Sequence, residues 1–125
     1  MGKLKGLIIR RPWIDYIFDG FKTWEIRGSK TKIRGRIALI QSQSGLIMGT
    51  ADLVDCKELS LVEYQQSEAH HCIKDCTMAP YKNIYAWVLS NAVRFETPIS
   101  YVHPQGAVIW VNLDDHEGLS LLNVS

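Results

Sequence analysis

Hydrophobic residues recur along the first part of the chain with two different periods. Residues 7–9 form a short apolar run that is typical of a buried strand, and we predict a strand over residues 4–10. After Pro12 the apolar side chains instead follow the i, i+3, i+4, i+7 spacing of one helix face. They are Ile14, Ile17, Phe18, Phe21. This stripe predicts a helix near residues 12–20, and Gly20 is a typical residue at a helix end.

The next segment, residues 23–27, alternates between polar and apolar side chains. Successive side chains of a strand point to opposite faces, so the alternation predicts a half-buried strand. Trp24 and Ile26 would then face the core. The opposite face would carry Thr23, Glu25, Arg27.

The remainder of the chain is dominated by strand patterns. The predicted strands are residues 36–41, 46–54, 84–95, 107–113. Gly49 inside one of them indicates a bulge or a close approach of another group to the backbone. Ser60 and Glu63 have the spacing of a capping box, which predicts a helix over residues 61–70. Many strands with two short helices favour an α+β fold with a mostly antiparallel sheet that closes, or nearly closes, into a β-barrel.

The size and composition of the chain fit one globular domain, which we expect to span residues 1–125. Apolar residues make up 46% of the sequence and charged residues 22%, which are ordinary globular values. No apolar run approaches the ~18 residues that a membrane span requires. The amino terminus lacks the apolar stretch of a secretory signal. We therefore expect a soluble, cytoplasmic protein that has no membrane partner.

The net charge of +1 conceals a strong asymmetry along the sequence. Residues 1–36 contain ten Lys or Arg and three Asp or Glu, a sum of +7, whereas residues 37–125 contain four and ten, a sum of −6. Charge segregated in this way can give a protein one strongly positive face, which suits a polyanion such as nucleic acid. The alternative is that the basic residues only keep two exposed loops soluble.

The sequence contains three cysteines, Cys56, Cys72 and Cys76. An odd number of cysteines without a secretory signal favours reduced thiols over a disulfide framework. His70 and His71 precede two of them and raise the possibility of zinc, but the spacing matches no standard finger or ribbon. Surface histidines and buried thiols are the simpler interpretation. We expect neither a metal nor another cofactor.

Three short motifs near the amino terminus follow one another in a fixed order. They are Arg11-Pro12-Trp13, then Gly20-x-Lys22-Thr23-x-Glu25-x-Arg27, then Gly35-Arg36. This arrangement resembles the ASCH family, a branch of the PUA-like superfamily. The resemblance implies a PUA-like β-barrel with a cleft beside the first helix, lined by the Lys, Glu and Arg of the motif. It also implies association with RNA or other nucleic acids, while a few members look like enzymes: an N4-acylcytidine amidohydrolase and a ribonuclease.

The side chains of the motif suit a ligand that carries bases and phosphates. Lys22 and Arg27 can bind phosphate, and Glu25 can accept hydrogen bonds from the exocyclic amine of cytosine or adenine. Trp13 or Tyr16 could offer a stacking surface, although Trp13 in the core and a plain Glu25–Arg27 ion pair are the simpler interpretations. The partner would be RNA, another nucleic acid, or a nucleoside or nucleotide. The predicted ligand-binding residues are Arg11, Trp13, Lys22, Thr23, Glu25, Arg27, Arg36.

A small hydrolase that acts on a modified nucleoside or on RNA is the alternative function. The amidohydrolase branch of the family carries its presumed nucleophile, a second Thr, where this chain has Glu25, so that mechanism does not transfer directly. Glu68 is a possible match for the catalytic carboxylate of that branch, or simply a solvated helix residue. If the protein is an enzyme, we expect Lys22, Glu25 and Tyr16 to be catalytic. An ionised Glu25 between two cations recognises donors better than it moves protons, which favours binding over catalysis.

Overall fold

The computed structural model describes residues 4–113 of the chain. The elements in order are β1 (Lys5–Ile9), α1 (Trp13–Phe18), β2 (Trp24–Arg27), β3 (Gly35–Gln41), β4 (Leu46–Leu59), α2 (Leu61–Gln65), α3 (Glu68–His71), β5 (Ile84–Ser100), β6 (Trp110–Asn112). None of the helices in this part of the chain is long and apolar enough to cross a membrane.

The six strands form one mixed sheet in the order β2-β5-β4-β3-β1-β6. Four of the strand pairings described are antiparallel, and β1 alone lies parallel to its neighbour, β3. The predicted α+β fold with a mostly antiparallel sheet is therefore confirmed. The parallel β1–β3 pair is possible because α1 and β2 provide the long connection that a parallel crossover needs.

The predicted closure of the sheet into a β-barrel is wrong. Between residues 4 and 113 the sheet stays open, with β2 and β6 as its two edges. Both edge strands are short, only four and three residues long, so few backbone groups are available to form a further ladder. Strand β2 and the end of β1 are not paired in this sheet, and we call the gap between them the seam. A side-chain hydrogen bond bridges the seam, because Nη2 of Arg27 on β2 donates to the carbonyl oxygen of Ile8 on β1 at 2.7 Å.

The main core lies between helix α1 and the sheet. Ile14 and Ile17 of α1 are buried against strand residues that include Leu7 and Trp87, as the helical stripe predicts. Phe21, the last member of that stripe, does not fit the prediction, because 68% of its surface is exposed. The helix ends before it, and the chain turns at Gly20, which has a φ of +88° that only glycine adopts readily.

The predicted second helix is present, but it is broken into α2 and α3. The capping box is confirmed, because the Ser60 hydroxyl accepts from the Glu63 N–H at 3.1 Å and the Glu63 carboxylate accepts from the Ser60 N–H at 2.8 Å. Four residues later the Ser67 hydroxyl donates to the Glu63 carbonyl at 2.6 Å. This side-chain bond competes with the helix ladder and accompanies the break.

The β4–β5 ladder is longer and less regular than the sequence predicts. β5 continues through Pro98, which lies where the register shifts between the Gly49↔Arg94 and Ile47↔Ile99 pairs. The irregularity predicted at Gly49 is confirmed. A Cβ atom at this position would overlap the Val93 carbonyl oxygen and lie 2.6 Å from a ring carbon of Phe18. Gly49 therefore lets helix α1 approach the sheet.

Candidate functional site

A cleft of about 850 Å³ opens beside the seam where the sheet fails to close. Its lining comes from the end of β1, the start of α1, the turn after α1, strand β2, the turn after β3 and the loops that follow α3 and β5. The charged and aromatic residues of this lining are Arg10, Trp13, Lys22, Glu25, Arg27, Tyr81, Tyr101, His103. Basic, acidic and aromatic side chains thus meet in one concave site, which is the usual composition of a small-ligand pocket.

The turn after α1 brings Lys22 into this cleft. Gly20 reverses the chain, and the backbone N–H groups of both Phe21 and Lys22 then donate to the Tyr16 carbonyl at 3.0 Å. As a result Phe21 points to solvent, whereas only 1% of the Lys22 side chain is exposed. The turn at Gly20 thus places the Lys22 ammonium 3.6 Å from the Glu25 carboxylate.

The Lys22 ammonium lies among three partners of different character. Its Nζ donates to the carbonyl oxygen of His71 at 2.7 Å, lies 3.6 Å from Oε1 of Glu25 and sits 5.1 Å from the centre of the Trp13 ring. Burial lowers the pKa of Lys22, while the nearby Glu25 carboxylate opposes that change. The ammonium is therefore held in the cleft by compensating contacts, without full solvation.

Glu25 and Arg27 form the second part of the charged floor. The Glu25 Oε2 accepts from Nε of Arg27 at 3.1 Å and from Nη2 at 2.8 Å. Among residues 4–113, the other oxygen, Oε1, has only the longer contact with Lys22, so it retains capacity to accept a hydrogen bond. The Arg27 guanidinium also lies 5.5 Å from the centre of the Trp87 ring, which fixes its plane.

The prediction for the two faces of β2 is correct only in part. Ile26 is buried as expected, but Trp24 is half-buried, with its ring stacked 4.5 Å from that of His70. Glu25 was expected on an open face, yet only 7% of it is exposed. The Lys22 and Arg27 side chains lie against Glu25 on the second face of the strand, and a periodicity of two cannot reveal such contacts.

His71 is a site residue that sequence reasoning missed. Its ring is fully buried: Nε2 donates to the Tyr64 carbonyl at 2.7 Å, and Nδ1 accepts from the Ile73 N–H at 2.9 Å. These partners fix the neutral ring, and burial lowers its pKa. The His71 carbonyl is the one that accepts from Lys22, so this residue positions the ammonium. Lys22 and His71 are 49 residues apart in the sequence, so no local pattern indicates that they are in contact.

Several predicted site residues lie outside the cleft lining. Arg11 is exposed and pairs with Asp15, and Arg36 pairs with Asp52 across the β3–β4 ladder. Tyr16 is 37% exposed and contacts the edge of the Trp13 ring. Two further residues in this group are Thr23, which hydrogen bonds through its backbone to His70 and Leu89, and Glu68, which pairs with Lys74.

Trp13 lies between the core and the cleft. It is half-buried, packs against the core cluster beneath α1 and also lines the cleft beside Lys22. Arg10, Tyr81, Tyr101 and His103 also line the cleft and were not predicted. They occupy strand ends and irregular loops, where no periodic pattern marks a side chain as part of a site.

The thiols of Cys72 and Cys76 lie close to main-chain carbonyls, and Cys76 Sγ is also 3.9 Å from Nε2 of His71. Cys72 Sγ donates to the Phe21 carbonyl at 3.3 Å and Cys76 Sγ to the Ile73 carbonyl at 2.9 Å. All three cysteines are free thiols. Across residues 4–113, no group of three or more His, Cys, Asp or Glu side chains could hold a metal ion.

Comparison with known proteins identifies the family and a shared fold. The ASCH domain model matches residues 7–99. The crystal structure of ASCH from Zymomonas mobilis has a TM-score of 0.73 at 15% identity, covering 98% of this chain and 95% of that one. Crystal structures of two point mutants of that protein are similar to this chain at the same identity, with TM-scores of 0.73 and 0.69. Each match covers 98% of this chain, and the matches cover 99% and 96% of the mutant chains.

The match to the solved structures shows a shared fold alone, since an identity of 15% is too low to support a conclusion about function. No curated protein matches the chain. The ASCH domain model, by contrast, covers most of the sequence, including the end of β1, all of α1 and the whole Gly20–Arg27 motif. The chain belongs to the ASCH domain family.

Proposed function

We propose that this protein binds single-stranded RNA by taking one nucleotide into the cleft beside the seam. The observation that carries the proposal is the buried Lys22–Glu25–Arg27 cluster at the floor of the cleft. Side chains with formal charges are rarely buried unless they are paired or used for recognition. Here they are paired with one another and remain accessible from a cavity large enough for a nucleotide-sized ligand.

The chemistry of the lining fits the separate parts of a nucleotide. Oε1 of Glu25 offers an acceptor to an exocyclic base amine, and the Trp13 and Tyr81 rings offer apolar surface beside it. Arg10 is exposed, and within residues 4–113 its guanidinium has no ion-pair partner, so it can contact phosphate. The ASCH family is associated chiefly with RNA, which supports the same ligand class.

The basic amino-terminal third adds an electrostatic argument. The loop between β2 and β3 begins directly after Arg27, and its Lys30, Lys32 and Arg34 side chains are exposed. A strand of RNA that inserts one base into the cleft would leave its neighbouring phosphates near this loop. Basic side chains arranged in this way supply affinity without sequence preference, whereas Glu25 would supply preference.

The test is a binding panel of short homopolymeric RNAs and the matching single-stranded DNAs, measured by fluorescence anisotropy at two salt concentrations. We expect oligomers of cytidine or adenosine to bind more tightly than oligouridine, which lacks an exocyclic amine. Glu25→Gln should weaken the preferred oligomer by about 1–3 kcal/mol and oligouridine by less. Asp52→Asn, at a carboxylate outside the cleft, is the matched control and should change neither affinity.

Equal losses for all bases after Glu25→Gln would remove Glu25 from base recognition. Failure of the wild-type protein to bind any oligomer at low salt would overturn the proposed function itself. The melting temperature of each variant separates these results from simple unfolding.

Hydrolysis of a modified nucleoside or of RNA is the second candidate function, and one observation favours it. Burial lowers the pKa of Lys22, which brings its amine closer to acting as a base near neutral pH. Tyr16, the other predicted catalytic residue, is absent from the cleft lining that the structure describes, so Lys22 and Glu25 would carry the reaction. Incubation with N4-acetylcytidine and with RNA, followed by chromatography of the products, tests for turnover.

A further inference from the structure

The loop after β5 contributes a wall to the cleft from outside the matched part of the family domain. Tyr101 and His103 both line the cleft, whereas the ASCH domain match ends at residue 99. The Tyr101 N–H donates to the Gly45 carbonyl at 3.2 Å, which fastens this loop to the turn between β3 and β4. The wall therefore has a fixed position beside the charged floor.

A chain of two hydrogen bonds runs through this wall and has a definite polarity. His103 Nε2 lies 2.8 Å from the Ala107 carbonyl oxygen, and its Nδ1 lies 2.7 Å from the Tyr101 hydroxyl. A carbonyl oxygen only accepts, so Nε2 carries a proton and donates it. In the neutral ring Nδ1 is then an acceptor, and the single hydroxyl proton of Tyr101 is used to bond it.

Protonation of His103 reverses the Tyr101 bond. Nδ1 then carries a proton as well and must donate to the phenolic oxygen, which releases the hydroxyl proton of Tyr101 for another acceptor. Burial raises the pKa of the Tyr101 hydroxyl, so the proton stays on that oxygen. The wall thus changes from an acceptor into a donor and gains a positive charge.

We propose that Tyr101 and His103 form a ligand-contacting pair that binds a phosphodiester group of the RNA when His103 is protonated. This inference rests on the proposed function and adds the group that this wall recognises. When His103 is neutral, the pair would present only the lone pairs of the Tyr101 oxygen, and the negative charge of a phosphate repels these lone pairs. The protonated pair presents a hydroxyl donor beside a cation, and charge-assisted hydrogen bonds to phosphate are the stronger kind.

The surroundings of His103 favour an anion over a cation. The charged side chains that line the same cleft are Arg10 from the end of β1, Lys22 from the turn after α1 and Glu25 and Arg27 from β2. Three are basic, and the single carboxylate among the described lining residues is already paired with Lys22 and Arg27. The loop after α3 adds the Tyr81 hydroxyl, and the lining residues of the β3–β4 turn are uncharged.

The experiment compares the binding of hexacytidylate without terminal phosphates and of cytidine across about pH 6 to 8, the range in which histidines commonly change charge. The phosphodiesters and the cytosine base keep their charge over this range, so any titration belongs to the protein. We expect hexacytidylate to bind about 3- to 10-fold more tightly at the acidic end, the effect of one charge-assisted hydrogen bond. Cytidine, which has no phosphate, should show no such gain.

Three variants test which side chain causes the pH dependence of the affinity for hexacytidylate. His103→Phe leaves the hydroxyl of Tyr101 free at every pH, so the affinity for hexacytidylate should no longer depend on pH. Tyr101→Phe keeps the ring and should reduce the gain, because only the charge of His103 remains. His70→Gln removes an exposed histidine that does not line the cleft and should keep the wild-type profile. Circular dichroism at each pH verifies that every variant is folded.

Wild-type affinity that is independent of pH would overturn this inference while leaving the proposed function intact. Full retention of the gain in either the His103→Phe or the Tyr101→Phe variant would overturn it as well. Failure of the wild-type protein to bind hexacytidylate at any pH would overturn this inference, and failure to bind every other RNA oligomer as well would overturn the proposed function with it.

Discussion

Arg27 on β2 donates a hydrogen bond of 2.7 Å from Nη2 to the main-chain carbonyl of Ile8 on β1. The same guanidinium holds the Glu25 carboxylate through two hydrogen bonds of 3.1 and 2.8 Å. One planar, rigid side chain therefore spans the open seam of the sheet and orients the carboxylate in the cleft. The open seam of the sheet and the charged floor of the candidate site therefore meet at this one side chain.

The first prediction concerns Arg27→Lys. A lysine ammonium lacks the planar fork of arginine and cannot serve both the Ile8 carbonyl and the Glu25 carboxylate, so one largely buried acceptor loses its partner. We expect the free energy of unfolding to fall by about 1–3 kcal/mol, measured by urea denaturation. Arg36→Lys is the control, since 36% of that side chain is exposed and its pair with Asp52 should be worth less than about 1 kcal/mol. Equal effects of the two substitutions would contradict a structural role at the seam.

The second prediction concerns pH and His71. Burial lowers the pKa of His71 below the 6.5 of an unfolded chain, and protonation would also end the Nδ1 bond from the Ile73 N–H. As the pH falls below about 6.5, the unfolded state takes up this proton first, so stability falls with the pH until the folded state is protonated too. Above pH 6.5 the ring is neutral in both states and the effect vanishes.

Urea denaturation at about pH 7.5 and pH 5 measures this loss. His71→Gln should make the difference between the two pH values smaller, whatever its effect on stability at pH 7.5. The adjacent, exposed His70 provides the control substitution His70→Gln. The Asp52 carboxylate does not contribute to this difference between pH 7.5 and pH 5, because the Asn91 amide lowers its pKa below 3.8. An unchanged pH dependence in the His71→Gln variant would show that another group is responsible.

Local sequence patterns predicted the elements around the site, because each depends on neighbours within a few residues. The stripe of Ile14 and Ile17, the turn at Gly20 and the capping box at Ser60 all appear in the structure. Phe21 was misplaced because the same Gly20 that ends the helix also turns the next side chain outward. A helical period cannot continue through a residue with positive φ.

The openness of the sheet and half of the cleft wall could not be predicted in this way. Closure depends on whether β2 pairs with β1 or β6, which are distant in sequence, and no periodic pattern encodes that choice. His71 at the end of α3 and Tyr101 in the loop after β5 come from distant parts of the chain, and their contacts with Lys22 and Gly45 span 49 and 56 residues of sequence. The motif indicated the floor of the cleft, while its walls depend on tertiary structure.

The third prediction concerns the exposed basic loop between β2 and β3. Reversing the charges of Lys30, Lys32 and Arg34 to Glu should flatten the dependence of RNA affinity on salt, by about 0.7 in logarithmic slope for each phosphate that the loop no longer neutralises. All three side chains are exposed, so the fold should persist. A matched control makes the same charge change at exposed lysines outside the cleft lining, namely Lys57, Lys74, Lys82. If both triple variants flatten the slope equally, net charge and not this loop drives the attraction.

The last prediction concerns Lys22, whose ammonium is the least exposed charge of the site. Lys22→Met keeps an unbranched side chain against the Trp13 ring but removes the charge and the donor to the His71 carbonyl. The substitution leaves the buried His71 carbonyl without its donor, so the free energy of unfolding should fall by about 1–3 kcal/mol. Glu25 would still be held by Arg27.

Binding and turnover should respond quite differently from stability to the Lys22→Met substitution. Affinity for all phosphate-bearing ligands should fall by a similar factor, about 3- to 10-fold, because a phosphate contact carries no base preference. Any hydrolysis that depends on the Lys22 amine should be abolished. Anisotropy, product analysis and thermal melting on the same preparation separate the three properties. A large loss of stability with unchanged binding would instead make Lys22, Glu25 and Arg27 a structural ion network, and the functional assignment of the motif would then have to be abandoned.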